Sequence, residues 1–121
     1  MEKKILITDD AAFMRLMITR ILAPEGYTII EACDGLDMLK KYEEHHPDLV
    51  TLDVTMPNMD GVTAVKELKK RYPESKIIMC SAMGQKVIVM DAMKAGANDF
   101  IVKPFKKETV LETINRVLGK K

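Results

Sequence analysis

The sequence predicts an α/β fold: a three-layer, doubly wound sandwich in which a five-stranded parallel sheet lies between helices. Two observations predict it. Short β-rich runs alternate with longer segments of helical spacing, and the strand-like runs are too apolar to leave a face in water. Of the 121 residues, 47% are hydrophobic and 31% charged, which suits one globular domain with a sizeable core. We therefore expect residues 1–121 to form a single domain.

Five short runs are predicted strands, because apolar and β-branched residues dominate them and turn residues flank them. They are residues 4–8, 27–32, 49–53, 76–81 and 99–102. Between them, apolar residues recur at helical spacing. Examples are Met14, Met17, Ile18, Ile21 and Leu22; Val65, Leu68 and Tyr72; and Val110, Ile114, Val117 and Leu118. Pro24 and Gly26 are expected to end the first helix and Gly119 the last, and Asp34-Gly35 predicts a turn before the second.

Polar residues stand where four of the predicted strands end. Asp9 and Asp10 follow the first strand, and Asp53 ends the third. Ser81 ends the fourth, and Lys103 follows the fifth. Parallel strands bring these ends to one edge of the sheet, where open α/β sheets bind their ligands. We therefore expect three carboxylates, one hydroxyl and one ammonium group to converge there.

This set of side chains fits phosphoryl chemistry on a carboxylate. Crowded carboxylates are costly to ionise together, and Mg²⁺, which prefers oxygen ligands, relieves that cost. An aspartate can act as a nucleophile and form an aspartyl phosphate. Phosphoryl transfer needs mainly positioning and charge neutralisation, which a metal, a lysine and a hydroxyl can supply. A hydrolase fits less well, because no residue is an obvious base for water.

Each of these residues also has an ordinary structural explanation. Asp9 and Asp10 could cap the first helix, and Asp53 could belong to a turn. Ser81 could begin the next helix, and Lys103 could be a solvated lysine. Only their joint position at the strand ends favours a site.

Four segments carry a family resemblance: DDAAFMR at 9–15, DVTMPNMDG at 53–61, CSAMGQ at 80–85 and KAGANDFIVKPF at 94–105. With them the chain resembles the receiver domains of two-component response regulators, and specifically the stand-alone chemotaxis regulators of the CheY type. The resemblance covers the whole chain. It implies the strand order 2-1-3-4-5, for which CheY is itself a standard example.

The resemblance implies a role for each site residue. Asp53 would be the phosphoacceptor, supplied by a phosphohistidine on a chemotaxis-type histidine kinase. Asp9, Asp10 and Asp53 would hold Mg²⁺ together with the backbone carbonyl of Thr55, with Asp10 a more direct ligand than Asp9. Lys103 would pair with the phosphoryl oxygens.

Three further features follow from the same resemblance. The Lys103–Pro104 bond would be cis, Ser81 would move towards the phosphoryl group, and Phe100 would be the aromatic switch. Phe100 stands in place of the tyrosine of enteric regulators, so no phenolic hydroxyl can take part in switching. Thr55 and Met83 occupy positions that tune dephosphorylation in the family.

Signalling would use the face made by the fourth helix, the fifth strand and the last helix. Met83, Val87, Met90 and Met93 lie on or near it, either as core residues or as a docking surface. The expected partner is a flagellar motor switch protein, with a phosphatase as a further possible partner. Since no second domain follows residue 121, we expect output by contact with another protein. We expect a signalling protein, not an enzyme, although it would assist its own phosphotransfer and autodephosphorylation.

Composition argues against other classes. Nineteen basic and 18 acidic residues give a net charge of +1, which indicates neither a nucleic-acid partner nor an anionic membrane. The apolar runs are too short to cross a bilayer. We expect a cytoplasmic monomer in which Cys33 and Cys80 are small buried thiols.

Three alternatives remain at this point. A phosphorelay intermediate of a non-chemotaxis pathway would have the same fold and site. A Mg²⁺-dependent phosphatase could use Asp53 as its nucleophile, but Thr55 stands where a second acid would be needed to protonate the leaving group. A flavodoxin-like cofactor carrier would need a phosphate-cradling glycine-rich loop after the first strand, where Asp9-Asp10-Ala11-Ala12 stands instead.

Overall fold

Strands and helices alternate along the chain in a computed structural model that describes residues 2–119. The ends of the predicted domain, residues 1 and 120–121, lie outside the described residues. The strands are β1 (Lys4–Thr8), β2 (Thr28–Ala32), β3 (Leu49–Asp53), β4 (Ile77–Ser81) and β5 (Asp99–Val102). The helices are α1 (Ala12–Leu22), α2 (Gly35–His45), α3 (Gly61–Arg71), α4 (Lys86–Ala95) and α5 (Lys107–Leu118).

The five strands form one parallel sheet in the order β2-β1-β3-β4-β5, which confirms the predicted order. The register aligns the carboxyl ends of the strands. Thr8 at the end of β1 pairs with Leu52 of β3, Asp53 pairs with Cys80 of β4, and Ser81 pairs with Val102 of β5. The residues that follow these ends therefore meet at one edge of the sheet.

Two hydrophobic cores lie on opposite faces of the sheet. One contains residues of α1 and α5, including Ile18, Leu22 and Ile114, and the other contains residues of α2, α3 and α4. Strands β3 and β4 are fully buried, as predicted. The expectation that no strand leaves a face in water is wrong for the edge strands β2 and β5, where only some side chains are covered. In β5, Phe100 is 44% and Val102 40% exposed.

Helix ends follow the local sequence. A single 3-10 turn, Ala23–Glu25, follows α1, and Gly26 ends it with a φ of 91°. Gly119 ends α5 with a φ of 76°. Both angles lie in the left-handed region that glycine adopts without a steric penalty. At the start of α2, the Asp34 side chain accepts a hydrogen bond of 2.8 Å from the Asp37 N–H. These glycines and this cap account for the predicted boundaries.

The two cysteines differ. Cys80 is buried within β4, and burial raises the pKa of its thiol to about 12. The prediction of a buried thiol is wrong for Cys33, which is exposed in the loop after β2. Separately, no helix in the range 2–119 combines the length and apolar character needed to span a bilayer.

The start of α3 packs directly against the end of β3. A Cβ atom on Gly61, the first residue of α3, would lie 2.7 Å from the Asp53 carbonyl oxygen and 2.7 Å from the Val54 Cα. These are backbone atoms, so they cannot move aside as a flexible side chain could. A glycine is therefore needed where the helix approaches the strand end that carries Asp53.

Replacement of this glycine should destabilise the protein. Gly→Ala within a helix ordinarily stabilises it by up to about 1 kcal/mol. Gly61→Ala should instead lower the free energy of unfolding by about 1–3 kcal/mol, because the methyl group overlaps backbone. Equilibrium denaturant unfolding measures the change. The matched control is Gly35→Ala at the first position of α2, where the nearest atoms to the new Cβ are Met59 Cβ, Cγ and Sδ at 3.0–3.1 Å, which are side-chain and not backbone atoms. An equal or smaller loss for Gly61→Ala than for this control would contradict the packing argument.

Candidate functional site

Three carboxylates lie together at the carboxyl edge of the sheet. One ligand oxygen from each of Asp9, Asp10 and Asp53 falls within 4.8 Å of the others. Asp9 and Asp53 are buried, with 2% and 7% of their surface exposed, whereas Asp10 faces solvent. The structure therefore brings together the acidic residues that the strand ends predicted.

The Lys103 ammonium group lies between two of these carboxylates. Its Nζ is 3.3 Å from Asp9 Oδ2 and 3.3 Å from Asp53 Oδ2. The lysine is held at this edge because its backbone N–H donates a hydrogen bond of 2.7 Å to the Ser81 carbonyl. The Lys103–Pro104 peptide bond is cis, as the resemblance implied.

Negative charge exceeds positive charge at this cluster. Burial raises the pKa of the Asp53 carboxyl above its ordinary value, and the charge of Asp9 adds to that rise, while the Lys103 ammonium opposes it. Burial alone would lower the pKa of Lys103, but the attraction of Asp53 and Asp9 outweighs it, so that pKa is raised. Burial thus leaves Asp53 costly to ionise even with an ammonium group beside it.

Neither member of the acid pair caps α1. The N-cap of that helix is Ala11, which offers no side-chain hydrogen bond. Asp9 Oδ1 instead accepts a hydrogen bond of 2.9 Å from the Ala11 N–H. Among the described residues, no hydrogen bond or ion pair engages the Asp10 carboxylate. The capping explanation of these residues is therefore wrong.

Arg15 supports the acid pair from α1. Its Nη1 donates a hydrogen bond of 2.7 Å to the Asp9 carbonyl, and its Nε lies 2.8 Å from the Glu31 carboxylate on β2. No role for Arg15 was predicted from the sequence. Its position in the matching segment DDAAFMR was the available signal.

Side chains on both sides hold the loop that follows β3. Asn58 Nδ2 donates a hydrogen bond of 2.8 Å to Asp34 Oδ2, at the start of α2. Gln85 Nε2 donates one of 3.0 Å to Thr55 Oγ1 from the start of α4. The Thr55 N–H lies 3.5 Å from Asp53 Oδ1. These contacts, which were not predicted from the sequence, position Thr55, whose backbone carbonyl was expected to bind the metal, beside Asp53.

Ser81 and Phe100 lie beside a surface pocket. Ser81 is buried at the end of β4, and it lines a pocket of about 410 Å³ with Met83, Met90 and Phe100. The sequence left open whether Met83, Val87, Met90 and Met93 are core residues. Met83, Val87 and Met90 are 81%, 74% and 50% exposed, so they are not core residues. Met93 is partly buried and packs against the core on the α2–α4 face.

The carboxylate cluster has the chemistry of a magnesium site. Carboxylate oxygens are the ligands that Mg²⁺ prefers, and a few protein oxygens suffice because the ion keeps several waters. Burial is the main reason that the pKa of Asp53 is raised, and a divalent cation beside this carboxylate would offset the cost of ionising it. The residues present therefore fit such an ion.

Comparisons with known proteins agree with this fold and site. The family model of the response regulator receiver domain matches residues 5–115. Chemotaxis protein CheY of Bacillus subtilis is 57% identical over 120 residues, covering 98% of this chain and 100% of that protein. Its counterpart in Thermotoga maritima is 52% identical over 118 residues, covering 97% and 98%. The crystal structure of the CheX–CheY–BeF3–Mg²⁺ complex from Borrelia burgdorferi superposes with a TM-score of 0.89, at 39% identity, over 95% of this chain and 88% of that one.

A parallel sheet of order 2-1-3-4-5 with an acid cluster and a lysine at its carboxyl edge defines a receiver. The chain belongs to the response regulator receiver domain family. Within this family it is homologous to the CheY chemotaxis regulators, and the comparison is consistent with phosphorelay signalling in chemotaxis. The predicted family is confirmed.

Neutralising Asp53 should stabilise the metal-free protein. The folded state raises the pKa of this carboxyl above its unfolded value of about 3.9, so the folded protein holds the proton more tightly. The wild type therefore loses stability as the pH rises from below that value through the raised pKa. Asp53→Asn should melt a few degrees higher at pH 7 in EDTA, and its advantage should disappear at acid pH.

Thermal unfolding between pH 3 and 8 measures this effect. The control is Asp91→Asn, which neutralises an exposed carboxylate on α4 and should show no such pH-dependent gain. Adding Mg²⁺ should stabilise the wild type more than Asp53→Asn. A variant that melts below the wild type at pH 7 in EDTA would contradict the charge balance described above.

Proposed function

We propose that the chain acts as one receiver domain over residues 1–121 and is phosphorylated on Asp53 by a chemotaxis-type histidine kinase. One observation carries the proposal: a buried aspartate at a strand end lies beside a second buried aspartate, with one lysine ammonium 3.3 Å from both. This arrangement provides a nucleophile and a cation for the phosphoryl oxygens.

In the phosphotransfer step, an Asp53 carboxylate oxygen attacks the phosphorus of the donor phosphohistidine. The phosphorus–nitrogen bond breaks, the donor imidazole leaves with the bond's electron pair, and an aspartyl phosphate forms. Lys103 pairs with the phosphoryl oxygens, and the Ser81 hydroxyl hydrogen-bonds to them. Asp53 is buried, so its carboxylate is poorly solvated before the phosphoryl group is attached.

Asp9, Asp10, Asp53 and the backbone carbonyl of Thr55 would hold Mg²⁺. When bound, the ion supplies charge neutralisation for the carboxylates and the transferring phosphoryl group. The contributions of the chain itself are the Arg15 hydrogen bond to the Asp9 carbonyl, which orients the acid pair, and the contact of Gly61 that places Asp53.

Phosphorylation of the protein alone tests this assignment. Wild-type protein with Mg²⁺ and acetyl phosphate should gain one labile phosphoryl group by intact-mass measurement. Asp53→Asn should abolish the adduct, and EDTA should reduce it severely. Asp91→Asn provides the matched control and should be phosphorylated like the wild type.

Two results would contradict the proposal. A persisting adduct in Asp53→Asn would place the phosphoryl group on another residue. Rapid multiple turnover of varied phosphoesters would favour a phosphatase.

We further propose that the phosphorylated protein signals in the cytoplasm, as a monomer, by binding a flagellar motor switch protein. The surface is formed by α4, β5 and α5. Its support is the exposed apolar set Met83, Val87, Met90, Phe100 and Val102, of which all but Val87 line the pocket next to Ser81. Large exposed apolar groups in one area are typical of a protein-binding surface. A phosphatase is a second proposed partner.

A charge placed on this surface should weaken the complex. Met90→Lys should reduce binding of a purified motor switch protein to the beryllofluoride-activated protein by about ten-fold or more, because an apolar contact is lost. Leu36→Lys is the control, since Leu36 is 55% exposed but lies on α2. Pull-down or calorimetric titration measures the difference. If the activated wild type captured no motor switch protein, the pathway proposal would fail, and a non-chemotaxis phosphorelay would be favoured.

A further inference from the structure

Gln85 is the single glutamine of the chain and occupies an unusual position. It is the N-cap residue of α4, where serine, threonine, aspartate and asparagine are favoured because their short side chains bond to the first turn. The Gln85 side chain makes no such bond to its own helix. Its amide is instead directed towards the loops around the candidate site.

The amide group of Gln85 joins two loops. Its Oε1 accepts a hydrogen bond of 2.7 Å from the Ala82 N–H, and its Nε2 donates one of 3.0 Å to Thr55 Oγ1. Thr55 lies two residues after Asp53 in the loop that follows β3. Ala82 directly follows Ser81 in the loop that follows β4. A single side chain therefore connects the loop beside Asp53 with the loop beside Ser81.

Movement of the second loop must disturb this connection. Under the proposed function, Ser81 moves towards a phosphoryl group on Asp53, and Ala82 moves with it because the two are adjacent. The first loop is less free to follow, since Asn58 bonds to Asp34 and Met59 packs against Gly35. Hydrogen bonds weaken steeply as distance and angle depart from their optimum. A displacement of Ala82 relative to Thr55 therefore weakens at least one of the two Gln85 bonds.

We propose that Gln85 is a positioning residue that holds the loop after β4 in its unphosphorylated arrangement and must release for the protein to switch. The inference rests on the proposed function, because it concerns the response to a phosphoryl group on Asp53. The side chain touches neither Asp53 nor Lys103 by any hydrogen bond within residues 2–119, so it acts through Thr55 and Ala82.

Removal of the connection should make activation easier. Gln85→Met keeps the length of the side chain and removes both hydrogen bonds. In the presence of Mg²⁺, it should bind beryllofluoride, a phosphoryl mimic, about five-fold more tightly than the wild type. Thr55→Val removes one bond and should give a smaller increase. Because the two residues share that bond, their effects should be less than additive in the double variant. General damage to the site would weaken binding instead.

Amide hydrogen exchange tests the connection without any phosphoryl mimic. In metal-free protein, the Ala82 amide should exchange faster in Gln85→Met than in the wild type, because its hydrogen-bond acceptor is gone. Lys86→Met is the matched control: it changes the adjacent exposed residue and should leave Ala82 exchange unchanged.

The outcomes separate the two proposals. Tighter beryllofluoride binding by Gln85→Met, with non-additivity in the double variant, supports the positioning role. Unchanged or weaker binding, in a series whose wild type binds normally, overturns it alone. So does unchanged exchange at Ala82. A wild type that binds no beryllofluoride overturns the proposed function and this inference with it, and the exchange data then still report whether Gln85 holds Ala82.

Discussion

The site depends on one electrostatic balance, in which two buried carboxylates share a single ammonium group. Lys103 Nζ lies 3.3 Å from both Asp9 and Asp53, and both carboxylates are buried where the central strands β1 and β3 end. Hydrophobic packing on both faces of the sheet must outweigh the repulsion between them. The fold thus holds together two carboxylates that would separate in water. Because they are buried, a cation or a phosphoryl group added beside them has a larger electrostatic effect than it would have in water.

The two sides of the site are held by different kinds of contact. On the β3–α3 side, Gly61 brings helix backbone against strand backbone, and Asn58 ties the loop to α2. On the β4–α4 side, Ala82 is bonded to the half-buried Gln85 side chain, and Met83 and Gly84 between them are exposed. Packed backbone resists displacement more than exposed hydrogen bonds do. We therefore expect the Asp53 side of the site to be more rigid than the Ser81 side.

Most of the fold and the centre of the site could be predicted from the sequence, because hydrophobic periodicity marks the strands and helices and the site residues stand where strands end. Alternating strand and helix patterns predicted the sheet, and the polar ends of four strands predicted the cluster of Asp9, Asp53 and Lys103. Exposure at β2 and β5 was missed, since edge strands can be as apolar as central ones and only their position in the sheet leaves them uncovered. The roles of Arg15 and Gln85 were missed for another reason: both side chains are long and reach a backbone group in the loop before their own helix, and the apolar periodicity that predicted the helices carries no information on such contacts.

The polar site and the apolar pocket are both formed in part by the short loop between β4 and α4, so the two are directly adjacent. Ser81 and Gln85 stand at its two ends, and both also line the pocket that contains Phe100 and Met90. If Ser81 moved to hydrogen-bond phosphoryl oxygens on Asp53, the same movement would change the shape of the apolar surface. Exposed apolar side chains are unfavourable in water, so their arrangement responds to small changes in the neighbouring backbone. Under the proposed function, this loop is the element through which a charge added at the strand ends would alter binding at the surface.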